Sequence, residues 1–122
     1  MTDPKSEFWL TRRPEFLAAQ KGRRHHAALF TIQKAEREPR LGMARFGLTV
    51  TSKTGNAVER NRIKRRLRAA IASGLRLAAE PGADYVVIGR RALLDAPFTT
   101  IVAELTRGIA RLTAKPHPSQ NS

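Results

Sequence analysis

Cysteine is absent from the 122 residues of this chain, so disulfide bonds, thiolate metal sites and thiol catalysis are excluded. Acidic residues are also few, 10 against 23 lysines and arginines, which gives a formal net charge of +13. No apolar run approaches the roughly 20 residues that cross a bilayer, and the first residues lack the apolar segment of a signal peptide. These features predict a cytoplasmic protein that does not engage a membrane and whose partner is a nucleic acid.

Sequence motifs for catalysis are missing as well. The acids are scattered along the chain, and neither a Walker A loop nor a GxSxG motif is present. His25 and His26 are adjacent, but neighbouring residues of a strand point to opposite faces, and no acid lies beside them to complete a metal site. We therefore expect no catalytic residue in this chain, and the sequence leaves any protein-bound metal unassigned.

The most informative segment runs from Asn56 to Arg68 and has the sequence NAVERNRIKRRLR. It holds six cations between positions 60 and 68, against one acid at Glu59. Its apolar residues keep a helical period, which predicts a helix with one face in the core. That face carries Ile63, Leu67, Ala70 and Ile71. A solvated helix face normally mixes charges of both signs, so this one-signed face indicates contact with a nucleic acid.

The predicted helix has a clear start. Asn56 is a favourable N-cap, and Glu59 lies three residues later, where its carboxylate can accept a hydrogen bond from the cap N–H. Gly55 permits a tight turn before the cap. We expect the helix to extend from about Ala57 to Ser73, with Gly74 ending it.

The rest of the pattern predicts an α/β fold, with a small mixed sheet and about three helices. Strands are expected at 27–34, 45–51 and 84–89, and the other helices at 15–20 and 98–113. The first two strands should pair as antiparallel neighbours, whereas a strand–helix–strand unit should make the second and third parallel. In strand 45–51, Phe46 and Leu48 should point inward and Gly47 outward. Residues 1–12 are predicted to be a flexible lead-in, 13–113 a single domain and 114–122 a disordered tail.

The motif residues resemble a known family. Phe46 to Val50, Lys53 and the run from Gly55 to Arg68 closely resemble the signature of the bacterial ribonuclease P protein subunit. The resemblance implies an α/β sandwich with a left-handed βαβ crossover, against the usual right-handed preference. It also implies that the protein binds a large catalytic RNA. The holoenzyme would then cut the 5′ leader from precursor tRNA with Mg²⁺ held mainly by the RNA, and no other protein would be obligatory.

The same resemblance assigns roles to individual residues. RNA binding is expected at Lys53, Asn56, Arg60, Asn61, Arg62, Lys64, Arg65 and Arg68. Leader binding is expected at Phe16 and Phe46, since aromatic rings can stack on single-stranded bases. The family pattern is not complete, because Ala19, Gln20 and Gln33 stand where further aromatics are common, and Ser52 where a second lysine is common.

Three alternatives remain open on the sequence alone. The chain could be a structural RNA-binding protein of ribosomal type with no role in cleavage, and composition does not separate the two. A DNA-binding basic helix is less favoured, because helix-turn-helix spacing and zipper heptads are absent. Phe16 could also be a core residue that attaches the first helix to the sheet.

Overall fold

The computed structural model describes residues 9–36, 42–73 and 79–113. These residues form three helices and four strands. In chain order the elements are α1 (Arg13–Gln20), β1 (Arg23–His26), β2 (Phe30–Glu36), β3 (Arg45–Thr49), α2 (Ala57–Ala72), β4 (Ala83–Gly89) and α3 (Phe98–Thr113). Two short 3₁₀ turns, Ser52–Thr54 and Arg91–Leu94, precede α2 and α3 respectively. The predicted class, a mixed sheet with about three helices, is confirmed.

The four strands form one sheet in the order β1-β2-β4-β3. β4 pairs antiparallel with β2 and parallel with β3. The parallel βαβ relation between β3 and β4 is therefore confirmed, but the expected antiparallel pairing of β2 with β3 is wrong. β4 is buried on both faces, and a strand of this kind is stable in the centre of a sheet. It therefore lies between β2 and β3 and keeps them apart.

The strand β1 has no counterpart in the sequence-based expectations. Its residues, Arg-Arg-His-His, are polar throughout and give no apolar alternation. It pairs with β2 alone, as an edge strand, and the two form a hairpin across the residues between His26 and Phe30. An edge strand with polar side chains on both faces cannot be identified from hydrophobic periodicity.

The main core lies between one face of the sheet and the two long helices. Phe30 and Ile32 of β2 are fully buried there, as expected. On the neighbouring strands, the Phe46 ring stacks on Tyr85 with 5.3 Å between ring centroids. α3 contributes Ile101, Leu105, Ile109 and Leu112, whose spacing places them on one helix face. Burial of this apolar area is the main source of stability.

Two cations, one of them buried, hold the end of α3. The side chain of Lys34 is almost completely buried, yet its Nζ donates to the Leu112 carbonyl at 3.0 Å and pairs with Glu80. Arg23 Nη1 donates to the same carbonyl at 2.7 Å. The C-terminal end of a helix carries partial negative charge, so these two cations stabilise it while they satisfy its last carbonyl groups.

The second face of the sheet is also covered, by α1. Gly47 was expected to point to solvent, but it is buried, because the Phe16 ring of α1 lies on it. A Cβ atom at Gly47 would stand 2.7 Å from Phe16 Cε1, so only glycine leaves room for the ring. Arg45 holds the start of α1 through an ion pair with Glu15 at 2.9 Å.

The first described residues of the chain are attached to the sheet. Trp9 forms a parallel bridge with Phe46, and Leu10 N–H donates to the Phe46 carbonyl at 2.7 Å. Residues 9 and 10 therefore belong to the fold, which corrects the flexible segment predicted up to residue 12. Residues 1–8 and the predicted tail at 114–122 lie outside the described residues. No helix in the described ranges is long and apolar enough to cross a membrane.

Candidate nucleic-acid interface

The basic helix α2 has the two faces that its sequence predicts. Ile63, Leu67, Ala70 and Ile71 are all fully buried against the sheet and α3. The opposite side exposes Asn61, Arg62, Arg65 and Arg68. The apolar side fixes the orientation of the helix, and the structure thereby brings most of the predicted RNA-binding residues onto one surface.

The start of α2 is the predicted capping box. Glu59 N–H donates to Asn56 Oδ1 at 2.8 Å, and Asn56 N–H donates to Glu59 Oε1 at 3.0 Å. The side-chain oxygen of Asn56 is therefore engaged in the cap, which gives Asn56 a structural role independent of RNA. The Arg91 guanidinium, together with the Asn56 backbone N–H, lowers the pKa of the Glu59 carboxyl to about 2, so Glu59 is ionised at neutral pH.

The cations of α2 fall into two groups. Arg66 donates to the carbonyls of Leu94 and Ala96, so its guanidinium is used within the protein itself. Arg60 is half-buried, and its Nε is buried without a hydrogen-bond partner in the described residues. The second group consists of Arg62, Lys64, Arg65 and Arg68. Within the described part of the chain, none of these four donates a hydrogen bond or joins an ion pair.

Lys53 extends the basic surface beyond the helix. It lies in the 3₁₀ turn Ser52–Thr54, four residues before α2 begins, and its side chain is exposed. The turn is closed by a hydrogen bond from Thr54 N–H to the Thr51 carbonyl at 3.0 Å. A lysine here lies beside the N-terminus of α2, where the helix dipole adds positive potential. Anions are thus attracted to this end by Lys53 and by the helix.

Phe16 is half-buried, and its position suits two roles. One side of the ring packs on Gly47 and on the small apolar cluster that contains Leu10, Ala19 and Val86. The other side of the residue remains partly accessible. Packing against the sheet and contact with a base are therefore compatible, and the two interpretations of Phe16 are not exclusive.

Phe46 does not lie on the exposed face of the sheet beside Phe16. Its side chain is completely buried in the main core, where it stacks on Tyr85. The expected contact between Phe46 and a leader base is incompatible with that burial, and the assignment is corrected here. Successive residues of a strand point to opposite faces, so it is Gly47, rather than Phe46, that lies on the side of α1.

A row of side chains crosses all four strands on the face that carries α1. Strand register places His26 beside Thr31, Thr31 beside Ile88, and Ile88 beside Thr49. The Thr31 hydroxyl accepts from Arg90 Nη2 at 3.1 Å and lies 3.3 Å from His26 Nδ1. Sequence reasoning missed this row, because its members come from four separate strands and share no motif.

The two histidines of β1 are on opposite faces of the sheet, because neighbouring residues of a strand alternate between its faces. His25 packs on α3, where the absence of a side chain at Gly108 leaves space for its ring. Burial there, with a smaller contribution from the nearby Arg111 charge, lowers the pKa of the His25 imidazole. In the described ranges no group of three or more His, Cys, Asp or Glu side chains could hold a metal ion.

Known proteins resemble this chain over most of its length. The family model described as Ribonuclease P matches residues 5–113. The ribonuclease P protein component of Bartonella quintana is 45% identical over 105 residues, covering 82% of this chain and 79% of that protein. The corresponding component of Brucella suis is 39% identical over 122 residues, covering 94% and 84%. The solved RNase P protein from Thermotoga maritima has a TM-score of 0.72 at 25% identity, covering 84% and 94%.

Proposed function

Because the chain belongs to the ribonuclease P protein family and is a protein component of ribonuclease P, we propose that α2 is its main contact with the RNase P RNA. The observation that carries this proposal is the exposed cationic face of α2. Its members Arg62, Arg65 and Arg68 make no hydrogen bond or ion pair within the described part of the chain. Such charges repel one another, and phosphate neutralises them with release of counterions.

The proposal divides the work between protein and RNA. The RNA carries out endonucleolytic removal of the 5′ leader from precursor tRNA, in the cytoplasm, with Mg²⁺ held mainly by RNA phosphates. The residues of the protein that the structure describes offer no carboxylate cluster for a metal ion, so no step is assigned to a protein-bound Mg²⁺. The protein screens phosphate repulsion at the α2 surface, and this should lower the Mg²⁺ concentration that cleavage requires.

A holoenzyme assay tests this role. The protein is combined with a bacterial RNase P RNA, and cleavage of precursor tRNA is followed as Mg²⁺ is varied. Arg65→Ala should shift the Mg²⁺ dependence to higher concentration, with activity restored at high Mg²⁺. The matched control is Arg107→Ala, which removes an exposed arginine from α3 that pairs with Glu104. Equal shifts for the two variants would show that net charge matters and that α2 is not a specific surface.

We also propose that the single-stranded leader lies on the face of the sheet beside α1. Phe16 lies at one side of this face, which we call the leader face, and the half-buried Ile88 and Thr49 extend the leader face across β4 and β3. Arg90 lies near its other end, bonded to Thr31, and could neutralise a leader phosphate. An aromatic ring beside an apolar strip, with a cation at the border, is the composition that binds single strands without strict sequence preference.

Substitution at Phe16 tests the leader site. Phe16→Ala should weaken precursor tRNA binding by about 1–3 kcal/mol if the ring stacks on a base, and leave mature tRNA binding unchanged. Phe16→Leu keeps apolar volume over Gly47 without an aromatic plane, so it separates stacking from packing. Leu17→Ala, an exposed neighbour on the same helix, is the matched control. Equal losses for precursor and mature tRNA, at matched folded fraction, would assign Phe16 to the core alone.

The alternative of a structural RNA-binding protein gives a different result in the same assays. Such a protein would bind the RNA through α2 but change neither the Mg²⁺ requirement nor the preference for precursor over mature tRNA. The family match of residues 5–113 favours the ribonuclease P role.

A further inference from the structure

Glu59 is the only acid between Lys53 and Arg68, in the middle of the surface that the proposed function gives to RNA. A carboxylate repels phosphate, and its position at the start of α2 opposes the positive potential of this surface. Electrostatics alone therefore predict that Glu59 weakens RNA binding and that its removal would strengthen it. The contacts of Glu59 indicate the opposite.

Glu59 is bound on two sides. One oxygen, Oε1, accepts from the backbone N–H of the cap residue Asn56 at 3.0 Å. The guanidinium of Arg91 pairs with both oxygens, Nη1 to Oε1 at 3.0 Å and Nη2 to Oε2 at 2.6 Å. The same Nη1 also donates to the Thr54 carbonyl at 3.1 Å. One arginine thus ties the turn that carries Lys53 to the first turn of α2.

Arg91 extends from a well-anchored segment. It opens the 3₁₀ turn Arg91–Leu94, and Leu93 of that turn is fully buried in the main core. Two turns further along α2, Arg66 donates to the carbonyls of Leu94 and Ala96. The 3₁₀ turn is therefore attached to α2 at two places. Through Arg91, it fixes the angle at which the Lys53 turn enters the helix.

Gly55 leaves room for the Glu59–Arg91 ion pair because it has no side chain. Its φ of 166° is extended backbone that any residue adopts, so the dihedral angle does not require glycine. A Cβ atom at this position would stand 2.5 Å from Glu59 Oε1 and 2.9 Å from Arg91 Nη1. Both atoms are the ends of flexible side chains. Gly55→Ala should therefore displace the ion pair, rather than the backbone, and it changes no charge.

We propose that Glu59 and Arg91 are positioning residues for RNA binding. The Glu59–Arg91 ion pair bridges Thr54 and Asn56, and we call this pair the clamp; Gly55 leaves the space that it occupies. The clamp holds Lys53 and the N-terminus of α2 in the arrangement that fits the RNA. The inference rests on the proposed function, because it concerns the same α2 surface. The clamp acts through geometry: it sets where the cations of this surface point and adds no contact with phosphate.

Three variants disturb the clamp in different ways. Glu59→Gln keeps an acceptor for the cap but removes the charge that holds Arg91. Arg91→Lys keeps the positive charge but loses the planar fork that bridges Glu59 and Thr54. Gly55→Ala leaves all charges in place. Each should weaken binding to an RNase P RNA by roughly threefold or more, because coupled neighbouring groups depend on one another. Circular dichroism at the assay temperature establishes the folded fraction.

The direction of the affinity change, compared at equal folded fraction, is the decisive readout. Removal of a repulsive charge alone predicts tighter RNA binding by Glu59→Gln, whereas loss of the clamp predicts weaker binding. The matched control is Glu104→Gln, which removes a half-buried acid paired with the exposed Arg107 on α3. That variant should bind as the unmodified protein does or slightly more tightly, while Glu59→Gln binds less tightly. A combined Glu59→Gln and Arg91→Lys variant should lose little more than either one, since both break the same pair.

Two results would overturn the clamp. One is tighter RNA binding by Glu59→Gln to the extent seen for Glu104→Gln, which would show that Glu59 acts only by repelling phosphate. The other is unchanged RNA affinity in both Gly55→Ala and Arg91→Lys. That result would show that only the positive charge of Arg91 matters and that its planar fork does not. Arg65→Ala, measured in parallel, separates the two proposals. If Arg65→Ala loses affinity while the clamp variants do not, the clamp fails and the role of α2 stands.

Discussion

Two neighbouring arginines of α2 have the same chemistry and different surroundings. Arg65 is exposed and makes no hydrogen bond or ion pair with the described residues, whereas Arg66 donates to carbonyls at the end of the second 3₁₀ turn. Successive residues of a helix are about 100° apart around its axis, so one position decides whether a cation faces the solvent or the protein. The function of each residue in this segment therefore depends on its angle around the helix as well as on its charge.

Substitutions on the two faces of α2 should differ sharply in their effect on stability. Leu67→Ala should lower the free energy of unfolding by about 2–4 kcal/mol, because it leaves a cavity at a fully buried position. Arg65→Ala should change the free energy by less than about 0.5 kcal/mol, since it removes an exposed charge from a repulsive cluster. Urea unfolding measures both. Loss of stability in Arg65→Ala without loss in Leu67→Ala would mean that the helix faces are reversed.

The ion pair of Glu59 predicts a pH dependence in the acid range. The pKa of Glu59 is lowered from 4.5 to about 2, so the folded state binds its proton less readily than the unfolded state. The contribution of the pair to stability is complete above about pH 4.5 and is lost as pH falls towards 2. The melting temperature should therefore be higher for the unmodified protein than for Glu59→Gln near neutral pH, and the gap should close below pH 4.5. A gap that stays constant down to pH 2 would contradict the assigned ion pair.

At the scale of elements, the attachment of α1 to the sheet fixes one side of the proposed leader face. The helix has only eight residues, too few to be stable alone, so its position depends on tertiary contacts. Arg45 supplies one such contact, because it forms two 2.9 Å hydrogen bonds with the buried Asp84 and an ion pair with Glu15. The carboxylate of Asp84 raises the pKa of the Arg45 guanidinium, in agreement with a close pair. This network joins β3 and β4 to the start of α1.

Breaking that network should loosen α1. Arg45→Met should lower the free energy of unfolding by about 2–4 kcal/mol, because it leaves the Asp84 carboxylate buried without this partner. Glu15→Gln, at the more accessible end, should cost less than about 1 kcal/mol. Urea unfolding gives these values, and hydrogen exchange of the α1 amides should rise in Arg45→Met before global unfolding. Equal protection of α1 in both variants would show that Phe16 and Leu10 hold the helix without Arg45.

At the scale of the whole molecule, the two proposed RNA surfaces are joined by a short stretch of chain. The row that crosses the sheet ends at Thr49, and the exposed Lys53 follows only four residues later. The segment between them includes Val50, which is buried and fixes the path of the chain. Under the proposal, a strand of RNA on the sheet face would approach the RNA bound by α2 at this end of β3. One small domain would then hold two parts of a ribonucleoprotein together.

The net charge of the molecule predicts a strong salt dependence. The slope of log affinity for the RNase P RNA against log salt should be −0.7 to −0.9 for each phosphate neutralised, with roughly five to eight contacts in all. Arg65→Ala should reduce the magnitude of this slope by about 1, whereas Arg107→Ala should leave it unchanged. Filter binding over a range of KCl concentrations measures these slopes. A slope near zero would rule out the electrostatic account of binding.

The sequence by itself determined the features that depend on local order. The apolar period of α2, its Asn56–Glu59 cap and its one-signed outer face all follow from residues within a few positions of one another, and the structure confirms the first two. The parallel relation of β3 and β4 also follows, because a helix connects them along the chain. Local physics is sufficient in these cases because the interacting residues are near neighbours in sequence.

Only the tertiary structure decided which elements meet. β4 lies between β2 and β3, the polar strand β1 exists because β2 offers it an edge, and Phe46 is in the core while Gly47 lies under Phe16. The clamp formed by Arg91 and Glu59, and the row from His26 to Thr49, join residues that are far apart in the chain. Such contacts depend on the packing of the whole domain, and a short-range sequence pattern carries no information about them.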